Sequence, residues 1–567
     1  PISSLYNIGK YFLFTKFYFE RSLVMKETKL QPNELDIIQA NEGMKLYLRG
    51  LSTGKNFTPR SSLYNIEGKT RMLEPDEILA AWQEHLAKLQ NGSTFEQEVF
   101  QFDSRQLEKW GPQGGVAPID DLLEEIVSPT FEPKSRPTAF STREWHVAKK
   151  YVSKCLFAAG CKSLRPVSYT RVVDDMRARD TLESNSGWPL FTRRNKPEVI
   201  KQSIEEAEDG RWKTYPAIAL FRNYNRKTRL VWMFPMSANL VEGSFFQPLQ
   251  SILMKSVYAD KFLAPWKGFE TVRSLVTESY NSGLSIAASD FSSTDAHFTL
   301  DTSLEVYDVI APCFQPAYRD LLKESILRMH SIPLVIGEDR QIVGEHGVSS
   351  GSNWTNFIET IFDWIFSTYV ALNEGGRKDS LPEDISSVYS GLYAIGDDMS
   401  WTVRRDRYDA EFSERLEALG KSVGQIIKAE KTTNDPDKVK SLQRLFIRGY
   451  LREDQQVRAV YPSIRALKSL VYPERMHKKR DWSRDMAAIR AVMILENCVD
   501  HPLYTELVAF VAQGDPHLVE FAKFSSTKQN ALFRQSKLVP GLNSTYNQER
   551  RNSAISQFRT IQVLREL

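Results

Sequence analysis

Two acidic stretches of this chain have the residue types and spacing to hold a metal ion. The first is Tyr393-Ala394-Ile395-Gly396-Asp397-Asp398-Met399: an apolar approach, a glycine and two adjacent carboxylates. Strand-forming residues flank it, Val388-Tyr389 before and Ser400-Trp401-Thr402-Val403 after, which predicts a hairpin with the acids at its tip. Carboxylates that close repel unless a cation lies between them, and hard oxygen ligands suit Mg²⁺. A chance Gly-Asp-Asp turns up in roughly one in ten chains this long, usually as a solvated turn, so the triplet needs partners. The second stretch supplies one. Leu284-Ser285-Ile286-Ala287-Ala288-Ser289 is a small-residue apolar strand running into Asp290, with Asp295 five residues on. If Asp290 closes the strand and a helix begins at residues 292–294, Asp295 faces the same cleft. Alone, Asp295 reads equally well as a first-turn helix acid favoured by the helix dipole.

Three further stretches suit a polyphosphate or polynucleotide. Arg222-Asn223-Tyr224-Asn225-Arg226-Lys227-Thr228-Arg229 holds four cations in eight residues. On a strand Lys227 and Arg229 project to one face, where Arg offers bidentate contacts and Lys a point charge to a triphosphate. Upstream, Ser184-Asn185-Ser186-Gly187-Trp188-Pro189 is a small-residue loop that lets a polynucleotide backbone pass close by, or else a plain surface turn. Downstream, Gly347-Val348-Ser349-Ser350-Gly351-Ser352-Asn353-Trp354-Thr355 leads into a long apolar helix, with Thr355 and Glu359 spaced to share one side.

The elements that position these residues follow from patterning. Residues 25–165 are mostly helical, with Pro75 opening an amphipathic run that Asn91-Gly92-Ser93 ends, and Ser141 and Glu144 at capping-box spacing. A helix is expected from about Asp406 to Leu419, stopping at Gly420, followed by Lys428-Ala429-Glu430-Lys431-Thr432 and a hairpin around Leu445 to Tyr450. Helices with polar loops complete the chain, including the basic run Arg475-Met476-His477-Lys478-Lys479-Arg480, read as a solvated face before a nucleic-acid contact.

With 567 residues, 41% of them hydrophobic, the chain builds a large globular core, and 74 Lys+Arg against 71 Asp+Glu give only +3. Bulk charge therefore marks no nucleic-acid binder, and any such site must come from local clustering. The cysteines at 155, 161, 313 and 498 fit neither a disulfide framework nor zinc spacing. No apolar run approaches a transmembrane length. Residues 1–24 read as translated upstream sequence, with Met25 as the start.

Taken in order, the small-residue loop, basic rod, Asp-x4-Asp, Ser-Gly-x3-Thr helix, Gly-Asp-Asp, lysine loop and hairpin resemble the motifs of viral RNA-dependent RNA polymerases, from about Ser186 to Tyr450. The wording Lys227-Thr228-Arg229-Leu230-Val231-Trp232-Met233-Phe234-Pro235, with Trp110-Gly111-Pro112, looks most like picobirnaviruses, partitiviruses next. The resemblance implies an α+β right hand of fingers, palm and thumb, with an antiparallel palm sheet flanked by helices, helical structure elsewhere and fingertips closed onto the thumb. It divides the chain into a bridging extension (25–165), fingers (166–285), palm (286–311), a fingers insertion (312–345), palm again (346–442) and thumb (443–567).

It also implies roles. Asp290 and Asp397 hold two Mg²⁺, with Mn²⁺ a substitute, about 4 Å apart, and Asp398 is a secondary ligand. Arg226, Lys227 and Arg229 clamp the triphosphate; Lys431 protonates the pyrophosphate, with Lys428 its rival. Asp295 recognises the ribose 2′-hydroxyl, Ser350 and Thr355 orient the nucleotide, and Ser186, Gly187, Trp188, Pro189 and Gly351 meet the template. Where many relatives carry asparagine, this chain has Glu359. The implied partners are RNA template and product, NTPs and a viral capsid protein; the enzyme is expected to be a monomer, off the membrane, in host cytoplasm within the virion of a double-stranded RNA virus. A reverse transcriptase, a non-catalytic RNA-binding protein and a metal-dependent phosphohydrolase are the competing readings.

Overall fold

Among the described residues there are twelve strands, several of which carry the segments singled out by pattern. They are β1 (Lys26–Lys29), β2 (Ala217–Tyr224), β3 (Lys227–Met233), β4 (Leu284–Ser292), β5 (Leu334–Val335), β6 (Arg340–Val343), β7 (Tyr389–Ile395), β8 (Asp398–Arg404), β9 (Ile426–Ile427), β10 (Thr433–Asn434), β11 (Lys438–Ser441) and β12 (Arg444–Ile447). The structure is a computed structural model that describes residues 24–55, 63–64, 73–374, 389–475, 477–539, 541–542 and 554–567. The proposed upstream segment, Val24 apart, lies outside the described residues, as do Val388 and Met476.

The central sheet runs β10-β4-β8-β7, antiparallel throughout, with β9 beside the end of β4. Both faces are covered. Ala287, Phe291, Met399 and Trp401 pack into the main core beneath the helix Trp354–Glu374, where Phe366 meets Trp401 edge-on. Ile286, Ala288 and Tyr393 point the other way, onto the helix Phe269–Asn281 and the β11–β12 hairpin. The alternation that marked these segments as strands thus distributes their side chains between two cores. A second sheet, β1-β6-β5-β2-β3, holds the basic rod as the β2–β3 hairpin; its turn, Asn225-Arg226, takes positive φ at both positions, the geometry that matches strand twist.

Four local expectations are corrected. β4 does not close at Asp290 but continues to Ser292, because Phe291 and Ser292 pair with β9; the short helix Thr294–His297 follows a left-handed Ser293. The helix Arg143–Ala159 is capped by Thr142, whose hydroxyl accepts from Trp145 N, and not by Ser141. The helix expected to stop at Gly420 runs Phe412–Ser422; without a side chain Gly420 packs directly on Ile427. The hairpin expected at Leu445 to Tyr450 turns earlier, at Leu442-Gln443. All four cysteines are buried free thiols, and among the described residues no helix is long and apolar enough to cross a membrane.

The N-terminal region belongs to two cores at once. Leu30, Ile38, Met44 and Leu48 pack with Trp188, Phe191, Ile218 and Val335, whereas Ile78, Trp82, Val99 and Phe102 join the C-terminal helices. Asp103, fully buried, ties the second junction. Its carboxylate accepts from Ser463 N and Oγ (3.0 and 2.5 Å) and Ile464 N (2.9 Å) at the start of the helix Ser463–Val471, and lies 2.8 Å from His501 Nε2. Between the junctions the chain threads past the rod's tip: Trp110 O accepts from Arg226 (2.5 Å), and Gln113 bridges Asn225 N and Tyr472 O. The tip also touches the C-terminal helices directly through Lys468 to Asn225 and Arg465 to Tyr224. The expected closed hand is therefore present. Asp103→Ala strips the cap and the histidine's partner together, a change expected to cost about 3 kcal/mol; an unchanged denaturant midpoint would show the junction contributes nothing.

Candidate active site

The hairpin between β7 and β8 turns through Gly396-Asp397, so the two acids have different backbones: Asp397 sits in the turn, Asp398 opens β8 directly opposite Asp290 on β4. Gly396 has φ 56°, and its amide donates to Thr360 Oγ1 (3.0 Å), which pins the turn to the long helix. Carboxylate oxygens of Asp290, Asp397 and Asp398 all lie within 4.8 Å of one another. Asp397 also accepts from Thr294 Oγ1 (3.2 Å), so the short helix after β4 holds it in place.

Three carboxylates at that separation strain against each other, and their proton affinities register it. Burial pushes Asp290 up to about 6, with Asp397 adding to the rise and Arg229 and Lys431 opposing it. Asp397 is raised by burial and held back by Thr294, Arg229 and Lys227. Asp398 is driven well above the carboxylate range by burial, by the charges of Asp397 and Asp290, and by the hydrogen bond it donates to Asp290. A hard divalent cation relieves the same repulsion, and three convergent oxygen donors on rigid strands fit one.

Opposite the acids stand cations. Lys227 and Arg229 are exposed on one face of β3, and both depress the proton affinity of Asp295 and Asp397. Lys431, exposed on the loop after β9, acts on Asp290. Arg226 is placed otherwise than expected: its guanidinium is spent on Trp110 O and packs over Gly111. Asp295 accepts from Ser350 Oγ (2.6 Å), joining the residue expected to read the sugar to one expected to orient the nucleotide. Thr355 instead turns its hydroxyl to Ser349 O (2.8 Å), so it shapes the loop. Glu359 is buried beside the turn, raised well above its ordinary range by burial and by Asp397 and Asp295. One turn on, Asp363 is fully buried with neither carboxyl oxygen hydrogen-bonded among the described residues.

Gly351 is required by contact: a Cβ there would lie 1.7 Å from Trp232 O. In the loop expected to meet a template, Ser186, Gly187 and Trp188 are buried; Ser186 O accepts from Met236 N, and Trp188 packs on Phe191, leaving Pro189 half-buried. A network unseen in the sequence joins this loop to Gly351. Glu242 accepts from Ser352 Oγ, Asn353 N (3.0 Å) and Asn239 Nδ2 (2.8 Å); Asn239 also donates to Gly351 O and accepts from Arg194, whose Nε donates to Asn185 O. Lys109, Lys440 and Arg465 were missed as well. Each is a single cation in an ordinary segment, yet burial and their mutual repulsion lower Lys109 and Lys440 from the usual lysine range, which places the three together near Arg229 and Lys431.

The family model of viral RNA-dependent RNA polymerases matches residues 224–503, from the rod's tip through all three acids into the C-terminal helices. The chain is a viral RNA-dependent RNA polymerase, most like that of picobirnaviruses. A human picobirnavirus protein described as a potential RNA-dependent RNA polymerase is 23% identical over 502 residues, 84% of this chain and 85% of its own. The crystal structure of a human picobirnavirus RNA-dependent RNA polymerase superposes with a TM-score of 0.76 at 21% identity, covering 95% of this chain and 100% of that one; an insertion-loop deletion mutant of it gives 0.72 over the same shares. At that identity the superposition establishes the polymerase's right-hand fold.

The Glu242 network yields a test on stability. Burial raises Glu242 from its ordinary 4.5 to about 7, with Ser352, Asn239, Asn353 and Arg194 opposing. A carboxyl raised in the folded state binds more protons there than unfolded, so its contribution declines as pH rises from about 4.5 to about 7. Glu242→Gln removes that titration: the variant's unfolding midpoint is expected to fall less than the wild type's between pH 5 and 8, and parallel curves would show the assignment wrong.

Proposed function

We propose that the polymerase copies an RNA template by joining NTPs to an RNA 3′-hydroxyl, in replication and transcription of a double-stranded RNA virus genome. The observation that carries this is the Asp290, Asp397 and Asp398 cluster faced by Lys227, Arg229 and Lys431 across one cleft. Asp290 and Asp397 are the residues that would hold Mg²⁺, with Mn²⁺ a substitute and Asp398 in support. When bound, such a metal pair supplies a more acidic 3′-hydroxyl and neutralises triphosphate charge.

The chain's own groups do the rest. The 3′-oxygen attacks the α-phosphorus as its hydroxyl proton passes to solvent water, and the bond to the leaving pyrophosphate breaks. Lys227 and Arg229 bind the triphosphate and stabilise charge as it develops on the pyrophosphate. Lys431 delivers a proton to that leaving group, a role its charge beside Asp290 supports. Asp295, oriented by Ser350, accepts a hydrogen bond from the ribose 2′-hydroxyl, and the rigid wall made by Gly351 and Pro189 borders the template. Glu359 borders the sugar pocket where relatives carry asparagine. The residue ranges assigned above to extension, fingers, palm and thumb suit these contacts, with residues 25–165 bridging fingers and thumb. A monomer working inside a capsid in host cytoplasm completes the proposal.

Asp397→Ala is expected to reduce Mg²⁺-dependent RNA synthesis on an RNA template to background while the circular dichroism spectrum stays unchanged; retained synthesis would remove the hairpin from the mechanism. Asp295→Ala should narrow the preference for NTPs over dNTPs by at least about tenfold in kcat/KM, the worth of one buried hydrogen bond. An unchanged ratio would reassign sugar selection to other groups.

A further inference from the structure

The basic run that the sequence offered as a solvated face does not lie free on the surface. After the helix Ser463–Val471 the chain crosses from the thumb to the fingers and is fastened at two points. Glu474 accepts both guanidinium bonds of Arg222 (2.8 Å each), and Asp481 pairs with Arg193 (3.5 Å). Arg193 pairs by its backbone with Asn185, so the second tether is made to the small-residue loop itself. Between the tethers stand Lys478, Lys479 and Arg480, all exposed. Their one acidic neighbour among the described residues is Asp481, 3.9 Å from Arg480 and already engaged by Arg193. His477 and Trp482 stack with their rings parallel and 4.7 Å apart, and Trp482 keeps 39% of its surface exposed.

Three consecutive cations repel one another, and elsewhere in this balanced chain the exposed Arg222 and the half-buried Arg340 and Arg415 sit on acids. Beside that row Trp482 stacks on His477 and still keeps part of its surface open to water. Positive charge following a strand's phosphates, plus one aromatic face on which any base stacks, is the chemistry of single-stranded nucleic-acid binding. The clamp at both ends keeps the row from collapsing onto the protein.

We propose that residues 477–482 form a strap that binds the single-stranded RNA template outside the cleft, Lys478, Lys479 and Arg480 on phosphates and Trp482 under a base. This rests on the polymerase reading and on the template passing the loop that Arg193 belongs to.

The test is binding and copying of RNA templates of increasing single-stranded length by the full chain. Three variants are compared: Lys478→Glu/Lys479→Glu/Arg480→Glu, Trp482→Ala, and, as a charge control at an exposed position outside the strap, Lys523→Glu. Losing three phosphate contacts should reduce the slope of log Kd against log salt by about 2 for long templates. Trp482→Ala should weaken long-template binding about tenfold with the salt slope unchanged. Both deficits should shrink as the template is shortened towards the active site, and Lys523→Glu should bind as wild type. Equal Kd and slope in all variants at every length would overturn the strap. So would a loss in the triple variant matched by Lys523→Glu, or one without any effect of Trp482→Ala, since either describes a general anion surface of the kind an acidic protein also meets. Failure of the wild type to copy even the shortest template would instead reject the polymerase reading, which separates the two failures.

Discussion

Mutual repulsion among Asp290, Asp397 and Asp398 is the constraint to which the rest of the structure answers. Held within 4.8 Å, these groups would spread apart on any flexible support. They do not spread because each is fixed by the backbone: Asp290 and Asp398 as opposed residues of one antiparallel ladder, Asp397 by a tight turn whose amide is tied to Thr360. The sheet in turn is rigid because both its faces are buried, one beneath the long helix and one beneath the β11–β12 hairpin. The cleft thus stores an affinity for cations that folding has already made possible.

The answering positive charge comes from several parts of the chain. β3 supplies Lys227 and Arg229, the loop after β9 Lys431, the N-terminal region Lys109, β11 Lys440 and the helix Ser463–Val471 Arg465. Because they are buried and like charges crowd there, Lys109 and Lys440 are lowered from the usual lysine range, the mirror image of the raised acids. A polyphosphate entering between the two sets relieves the crowded cations, whereas the crowded acids call for a divalent cation, so the two halves of the cleft suit a triphosphate that arrives with its metal.

What could be read from the sequence was whatever lay within a few residues of itself. Gly396-Asp397-Asp398, Asp290 with Asp295, and the alternation of Lys227 and Arg229 each announce strand, turn and chemistry together, and the structure assembles them around one cleft. Arg226 and Thr355 passed the same local tests, but Arg226 is drawn off by Trp110, far away in the chain, and Thr355 by the carbonyl of Ser349 in the loop just before its helix. Glu242, Lys109 and Asp103 had no local signal at all, since a single charged residue on a helix reads as solvent-facing until the element that covers it is known. Strand β4 outran its expected end because β9, more than a hundred residues later, pairs with its last two residues. Long-range pairing is the information that patterning lacks.

The cap that Asp103 places on the helix Ser463–Val471 has a bearing on how the molecule is made. A ribosome releases the aspartate long before the helix it caps, and the whole of the fingers and palm emerge in between. The early helices must therefore wait with Ile78, Trp82 and Val99 uncovered until the last quarter of the chain arrives. Closing the ring is then the final event of biogenesis, and a nascent chain stalled before residue 463 would expose an apolar surface to chaperones and proteases.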